Sequence, residues 1–209
     1  MKLIEKLGYH PVLLPFSPNG KAQHVKGFLQ RFARTARKTA DFLNRVAQLT
    51  MPMVGVDPAT VLCYRDEYRQ TLGDTRGDFN VQLVQEWLQT VVTERAVQNT
   101  SGEAWYLFAH CTEVTALPST PNQWQDIFSR FGAKLENINV GCCGMAGTYG
   151  HESKNLENSL GIYALSWHPQ LQKLPRQRCL ATGFSCRSQV KRVEGNGMRH
   201  PLQALLEIL

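Results

Sequence analysis

Two segments of this sequence repeat at a fixed spacing, and that repeat limits the fold more than any other feature. Leu3-Ile4-x-x-Leu7-Gly8 is matched 124 residues on by Ile127-Phe128-x-x-Phe131-Gly132. A further glycine follows 12 residues after each, Gly20 and Gly144. In both copies an apolar i, i+1, i+4 pattern runs into glycine, as a helix with a left-handed cap does, and alternating apolar residues then predict a strand. Leu14 and Phe16 of the first copy correspond to Ile138 and Val140 of the second. Past the second glycine each copy passes through a long helical region to a strand and then to one cysteine. Cys63 lies 43 residues after Gly20, and Cys186 lies 42 after Gly144, so a single-residue gap keeps the register.

Short apolar runs predict strands at residues 12–16, 53–56, 105–109, 135–140 and 179–182. Helical patterns fall between them at 26–48, 59–71, 81–96, 124–131, 153–166 and 185–193. Strands alternating with helices predict an α/β fold of small parallel sheets covered by helices. Two copies of the unit predict two pseudo-symmetric lobes sharing a cleft, 1–98 and 99–209, with Asn99-Thr100-Ser101-Gly102 as the loop between them. At the offset of 124 the strand preceding Cys111 has its counterpart before Met1, so the first lobe lacks its opening strand and the chain is expected to be a fragment of a longer polypeptide.

The chain has 209 residues, of which 43% are hydrophobic, enough for a real core. Six cysteines without a secretory signal argue against a disulfide-stapled scaffold and for a reducing compartment, the cytoplasm. No stretch approaches the roughly 20 consecutive apolar residues that span a bilayer. The formal net charge is +6, and Arg31, Arg34, Arg37 and Lys38 fall at helical spacing. Without aromatic interleaving or a nucleic-acid motif, they read as a solvated helix face rather than a nucleic-acid surface.

The chemistry is concentrated in sulfur. Cys111, the doublet Cys142-Cys143 before Gly144, and Cys186 each follow a predicted strand, and the carboxyl ends of strands are where open α/β folds gather ligand sites. Thiolates from three segments suit a metal or an iron–sulfur cluster, with Gly144 permitting the sharp turn that presents adjacent cysteines. A redox-active or vicinal disulfide and plain packing are the other readings of the doublet. Zinc accepts four thiolates too, although its sites usually come as short-spaced knuckles and no C-x-x-C is present. Cys186 opens a predicted helix, where the first amides favour thiolate, with Arg187 and Lys191 adding positive charge. Cys179 and Cys63 read as structural. His110 and His151 flank the motif and could donate hydrogen bonds to sulfur or carry protons. The first copy reads Pro18-Asn19-Gly20 where the second reads Cys142-Cys143-Gly144, which predicts one site, in the second lobe.

A cysteine, some thirty residues, Cys-Cys-Gly and then a distal cysteine resemble the duplicated CCG cysteine-rich domain of heterodisulfide reductase B-type subunits. The same domain occurs in the iron–sulfur subunits of glycolate and glycerol-3-phosphate oxidoreductases. Where that family carries C-x-x-C, this chain has Gly183-Phe184-Ser185-Cys186. This string and Cys142-Cys143-Gly144-Met145-Ala146-Gly147 with Gly150-His151-Glu152 are similar to the C-terminal end of large FAD-linked D-2-hydroxyacid dehydrogenases of the D-lactate and D-2-hydroxyglutarate type. The resemblance implies a 4Fe-4S cluster on Cys111, Cys142, Cys143 and Cys186, passing electrons from an FAD bound in a missing N-terminal part towards an acceptor. Its partners are then the FAD and substrate domains of the same polypeptide, and the fragment alone is expected to be inactive. A structural zinc or thiol module that binds a partner without a redox role is the alternative.

Overall fold

The computed structural model describes residues 1–92, 102 and 104–209. Its elements follow the chain as α1 (Lys2–Lys6), α2 (Lys21–Val25), α3 (Leu29–Ala47), β1 (Met53–Gly55), α4 (Pro58–Arg65), α5 (Glu67–Leu72), β2 (Val81–Leu83) and α6 (Val84–Val91). Then come β3 (Trp105–Phe108), α7 (Cys111–Ala116), α8 (Thr120–Arg130), β4 (Leu135–Asn137), α9 (Leu156–Leu171), β5 (Cys179–Ala181), α10 (Phe184–Glu194) and α11 (Pro201–Ile208). Short parallel sheets flanked by helices form the α/β architecture that the alternating pattern predicts.

The chain divides into two compact units, Leu13–Trp87 and Met1–Val12 with Leu88–Leu209. In the first, β1 and β2 pair in parallel, Met53 opposite Val81. α3 presents Phe32, Ala36, Ala40 and Leu43 to the core and keeps Arg31, Arg34, Arg37 and Lys38 on its more exposed side, so the basic stripe is the outer face of an amphipathic helix. The Arg76 guanidinium is buried, donating to the carbonyls of Tyr64, Gly77 and Phe79, 3.9 Å above the Phe79 ring.

In the second unit the strand order is β4-β3-β5, all parallel. β5 is extended by a parallel bridge from Leu180 to Arg199, just before α11. Phe108, Tyr163, Trp167, Leu171, Val190 and Met198 pack into one core with Cys143, Cys179 and Cys186. α1 packs on α11 within this unit.

The structure corrects several boundaries. Residues 12–16 form no strand, and Val12, Leu13 and Phe16 are 71%, 83% and 93% exposed. Their counterpart β4 is held by the ladder to β3, continued by Ile138 N–H donating to the Leu107 carbonyl at 2.9 Å. Residues 12–16 have no such neighbour among the described residues, and a strand without a ladder leaves its backbone to water. Residues 81–83, read as the start of a helix, are β2. Val81 and Leu83 are buried on alternate positions, and Glu86 accepts from Leu83 N–H at 2.8 Å to start α6 only afterwards. The helix expected at 26–48 begins at Leu29, and that at 59–71 breaks at Asp66. The end of the 81–96 helix, the linker and the 98/99 boundary fall on residues outside the described ones, apart from Gly102.

The repeat itself has a backbone signature. Gly8 and Gly132 have φ of 90° and 69°, and Gly20 and Gly144 have 77° and 84°. The distal part of the alignment shifts, however. β1 starts five residues before α4, and β5 five before α10, so superposing these pairs sets Thr60 against Cys186 and Cys63 against Gln189. Cys63 is therefore not the counterpart of Cys186.

Candidate metal centre

Three strand ends build the site. β3 runs out into His110, whose extended backbone leads directly into α7 with Cys111 as its first residue. β5 runs out into Thr182 and Gly183 and then α10, which carries Cys186 in its first turn. The two ends are tied together. His110 N–H donates to Thr182 Oγ1 at 3.0 Å, and Thr182 Oγ1 donates to Glu113 Oε2 at 2.5 Å. Glu113 is wholly buried in the first turn of α7. Arg187 closes the turn by donating to the carbonyls of Ala181 and Thr182.

The third end is the loop after β4. Trp167 Nε1–H donates to the Gly141 carbonyl at 2.9 Å, and Gly141 N–H to Ser166 Oγ at 3.1 Å, so α9 holds the loop before the doublet. Behind the doublet, buried Ser159 donates to the Gly144 carbonyl at 2.8 Å. Gln189 Nε2 and Arg192 Nη2 both reach Ser159 Oγ, at 3.1 and 3.0 Å. A Cβ on Gly144 would stand 2.1 Å from the Ser159 carbonyl oxygen. The loop and α9 thus approach so closely that only glycine fits, and its positive φ adds a second reason.

These supports bring the four sulfurs into one row. Cys111 and Cys143 are each in hydrogen-bond contact with Cys142, and Cys143 also with Cys186. Cys143 and Cys186 are buried, Cys111 and Cys142 half-buried. Cys142 is the natural thiolate of the row. Hydrogen bonds from Cys111 and then Cys143 pull its pKa far down, helped by Gly144 N–H at 3.4 Å and by the neighbouring His110. The same bonds, with burial, push Cys111 and Cys143 well up. A metal entering the row would have to displace these held protons.

All four sulfur residues expected from the sequence are gathered here, and the other two cysteines are not. Burial raises Cys63 to about 12, and it sits in the core of the first unit. Burial raises Cys179 to about 11, and its thiol points at the Pro175 carbonyl, 3.5 Å away. His110 is buried beside the row, whereas His151 is exposed on the turn Tyr149–His151. Glu113, Ser159, Thr182, Gln189 and Arg192 were not singled out by the sequence. Glu113, two residues after Cys111, and Gln189, one helical turn beyond Cys186, lie near sulfur in the sequence, but nothing there marks them as its supports.

Among the described residues no group of three or more His, Cys, Asp and Glu side chains is arranged to hold a metal ion. Cys111, Cys142, Cys143 and Cys186 match in number the four thiolates that a 4Fe-4S cluster takes.

Comparison with curated proteins gives a consistent match. Over all 209 residues the chain is 88% identical to the D-2-hydroxyglutarate dehydrogenase of Pantoea ananatis and 73% identical to that of Escherichia coli K12. It is 54% identical to the corresponding enzyme of Haemophilus influenzae over 99% of its length. The chain spans about a fifth of the length of these relatives, 20% of the first two and 21% of the third. No family model matches it.

Proposed function

We propose that this chain is the iron–sulfur electron-transfer part of a flavin-dependent D-2-hydroxyacid dehydrogenase acting on 2-hydroxyglutarate. The observation that carries this reading is the row of four sulfurs, assembled from three strand ends in a chain similar along its whole length to D-2-hydroxyglutarate dehydrogenases. Cys111, Cys142, Cys143 and Cys186 would hold a 4Fe-4S cluster, which when bound takes up and releases single electrons. FAD and the substrate-binding parts belong, in this reading, to the rest of a longer cytoplasmic polypeptide.

The protein's own contribution is placement and insulation. Thr182 and Glu113 fix the start of α7 against the end of β5, and Ser159, Gln189 and Arg192 fix the doublet. Burial of Cys143 and Cys186 in the aromatic core keeps water from half of the row, and both burial and hydrogen bonds to sulfur set the potential of such a centre. We also retain the division into two CCG-type copies, 1–98 and 99–209, supported by the matched left-handed glycines.

Anaerobic reconstitution with iron and sulfide tests the proposal. The expected product holds about four irons per chain and a visible absorption that reductant bleaches. Purification with one zinc and no acid-labile sulfide would instead establish the zinc module and end this reading. No dehydrogenase activity is expected from the chain by itself.

A further inference from the structure

Gly183 has ordinary extended backbone, φ −75° and ψ 134°, so nothing in its conformation requires glycine. Its surroundings do. A Cβ there would lie 2.2 Å from His110 Cδ2, 3.0 Å from His110 Cγ and 3.1 Å from Cys186 Sγ. The obstacle is the imidazole, which fills the space that a side chain at position 183 would occupy.

We propose that His110 is a positioning residue of the sulfur centre, an imidazole wall that takes the room of residue 183 and holds its ring nitrogens beside the strand ends that deliver Cys111 and Cys186. The inference rests on the iron–sulfur reading for its redox part and on geometry alone for its steric part. The ring is not placed by chance. His110 N–H is held by Thr182 Oγ1 at 3.0 Å, Thr182 is held by buried Glu113, and His110 Nε2 lies 3.4 Å from Ser185 Oγ, next to Cys186. The ring therefore stands where the two strand ends that deliver Cys111 and Cys186 meet. Polar groups beside the sulfurs of a cluster raise its potential.

A double-mutant cycle on the metal-free chain tests the steric part: Gly183→Ala, His110→Ala and both together. Gly183→Ala should lower the thermal midpoint while His110 is present. In the His110→Ala background the loss should be much smaller, because the 2.2 Å obstacle is gone, alanine can adopt this φ/ψ, and only the 3.1 Å approach to Cys186 Sγ remains. Equal losses in both backgrounds would overturn the claim that His110 owns this space. The redox part is read from His110→Phe, which keeps a flat ring and removes its nitrogens. After anaerobic loading it should hold as much iron and sulfide as the wild type but show a more negative midpoint potential by optical titration. An unchanged potential would overturn the polar role. A wild-type chain that takes up no iron would defeat the iron–sulfur reading and the polar role together, while the metal-free cycle would still decide the steric claim.

Discussion

Acidification should destabilise this chain through His200. The residue is buried at the N-terminus of α11, where its Nδ1 accepts from Leu202 N–H at 3.1 Å, and it packs edge-on against Trp124 at 5.9 Å. An accepting Nδ1 requires the neutral ring, and protonation would set a donor against a donor in a buried site. Burial, and secondarily Arg187, lower its pKa from 6.5 to about 3. The folded value lies below the unfolded one, so between them the unfolded chain binds the extra proton. The contribution is therefore complete above pH 6.5 and is lost as pH falls towards 3. At about 1.4 kcal/mol per pH unit, about 2 kcal/mol should disappear between about pH 7 and about pH 5. For a chain of this size that corresponds to a fall in melting temperature of roughly 4–8 °C. The assay is urea unfolding of chelator-treated protein, followed by tryptophan fluorescence, at both pH values. The comparison is His200→Asn, which keeps a capping acceptor and loses the titration. Its stability should vary with pH by about 2 kcal/mol less than that of the wild type. Parallel pH curves for the two proteins would refute the reasoning.

Other outcomes follow from the same structure. Gly144→Ala must strain a left-handed residue by about 1–2 kcal/mol and displace α9 from the loop, so iron uptake should fall together with the unfolding midpoint. Wild-type iron uptake in that variant would show that the close approach to Ser159 is unimportant. Cys186→Ala should abolish stable iron binding, whereas Cys63→Ala should leave iron content unchanged and cost about 1 kcal/mol in packing. Loss of iron in the Cys63 variant would place that thiol in the site. Replacing Arg31, Arg34, Arg37 and Lys38 by glutamine should each change stability by about 0.5 kcal/mol or less, as expected of a solvated face. Salt-sensitive DNA binding that vanished in the fourfold variant would contradict that assignment.

The sequence revealed what local chemistry determines. The strands at 53–55, 105–108, 135–137 and 179–181 were found because apolar runs bounded by turns mark buried strands, and the cysteines proposed as ligands all follow such runs. What failed depended on neighbours. Residues 12–16 carry the alternation of a strand but no partner backbone among the described residues, and residues 81–83 carry helix-compatible side chains but lie opposite β1. The supporting side chains were invisible for the same reason. Ser159 and Thr182 matter only because a loop more than ten residues away, or another strand end, arrives against them.

The two copies also separate the glycine from the sulfur. Gly144 is needed because a Cβ would strike the backbone of α9, and Gly20 because a Cβ would come within 2.8 Å of the buried Phe32 ring on α3. The first copy carries Pro18-Asn19 where the second has cysteines, and Thr60 where the second has Cys186, yet it keeps the left-handed glycine. A turn made solely to present sulfur would have no reason to persist without it. The glycine therefore answers in each segment to packing against a neighbouring helix, independently of the cysteines. It follows that replacing all four site cysteines by serine should leave the parallel sheet and α9 in place, with circular dichroism close to the wild type and iron uptake abolished. Collapse of the helical signal in that variant would make the thiols part of the frame itself.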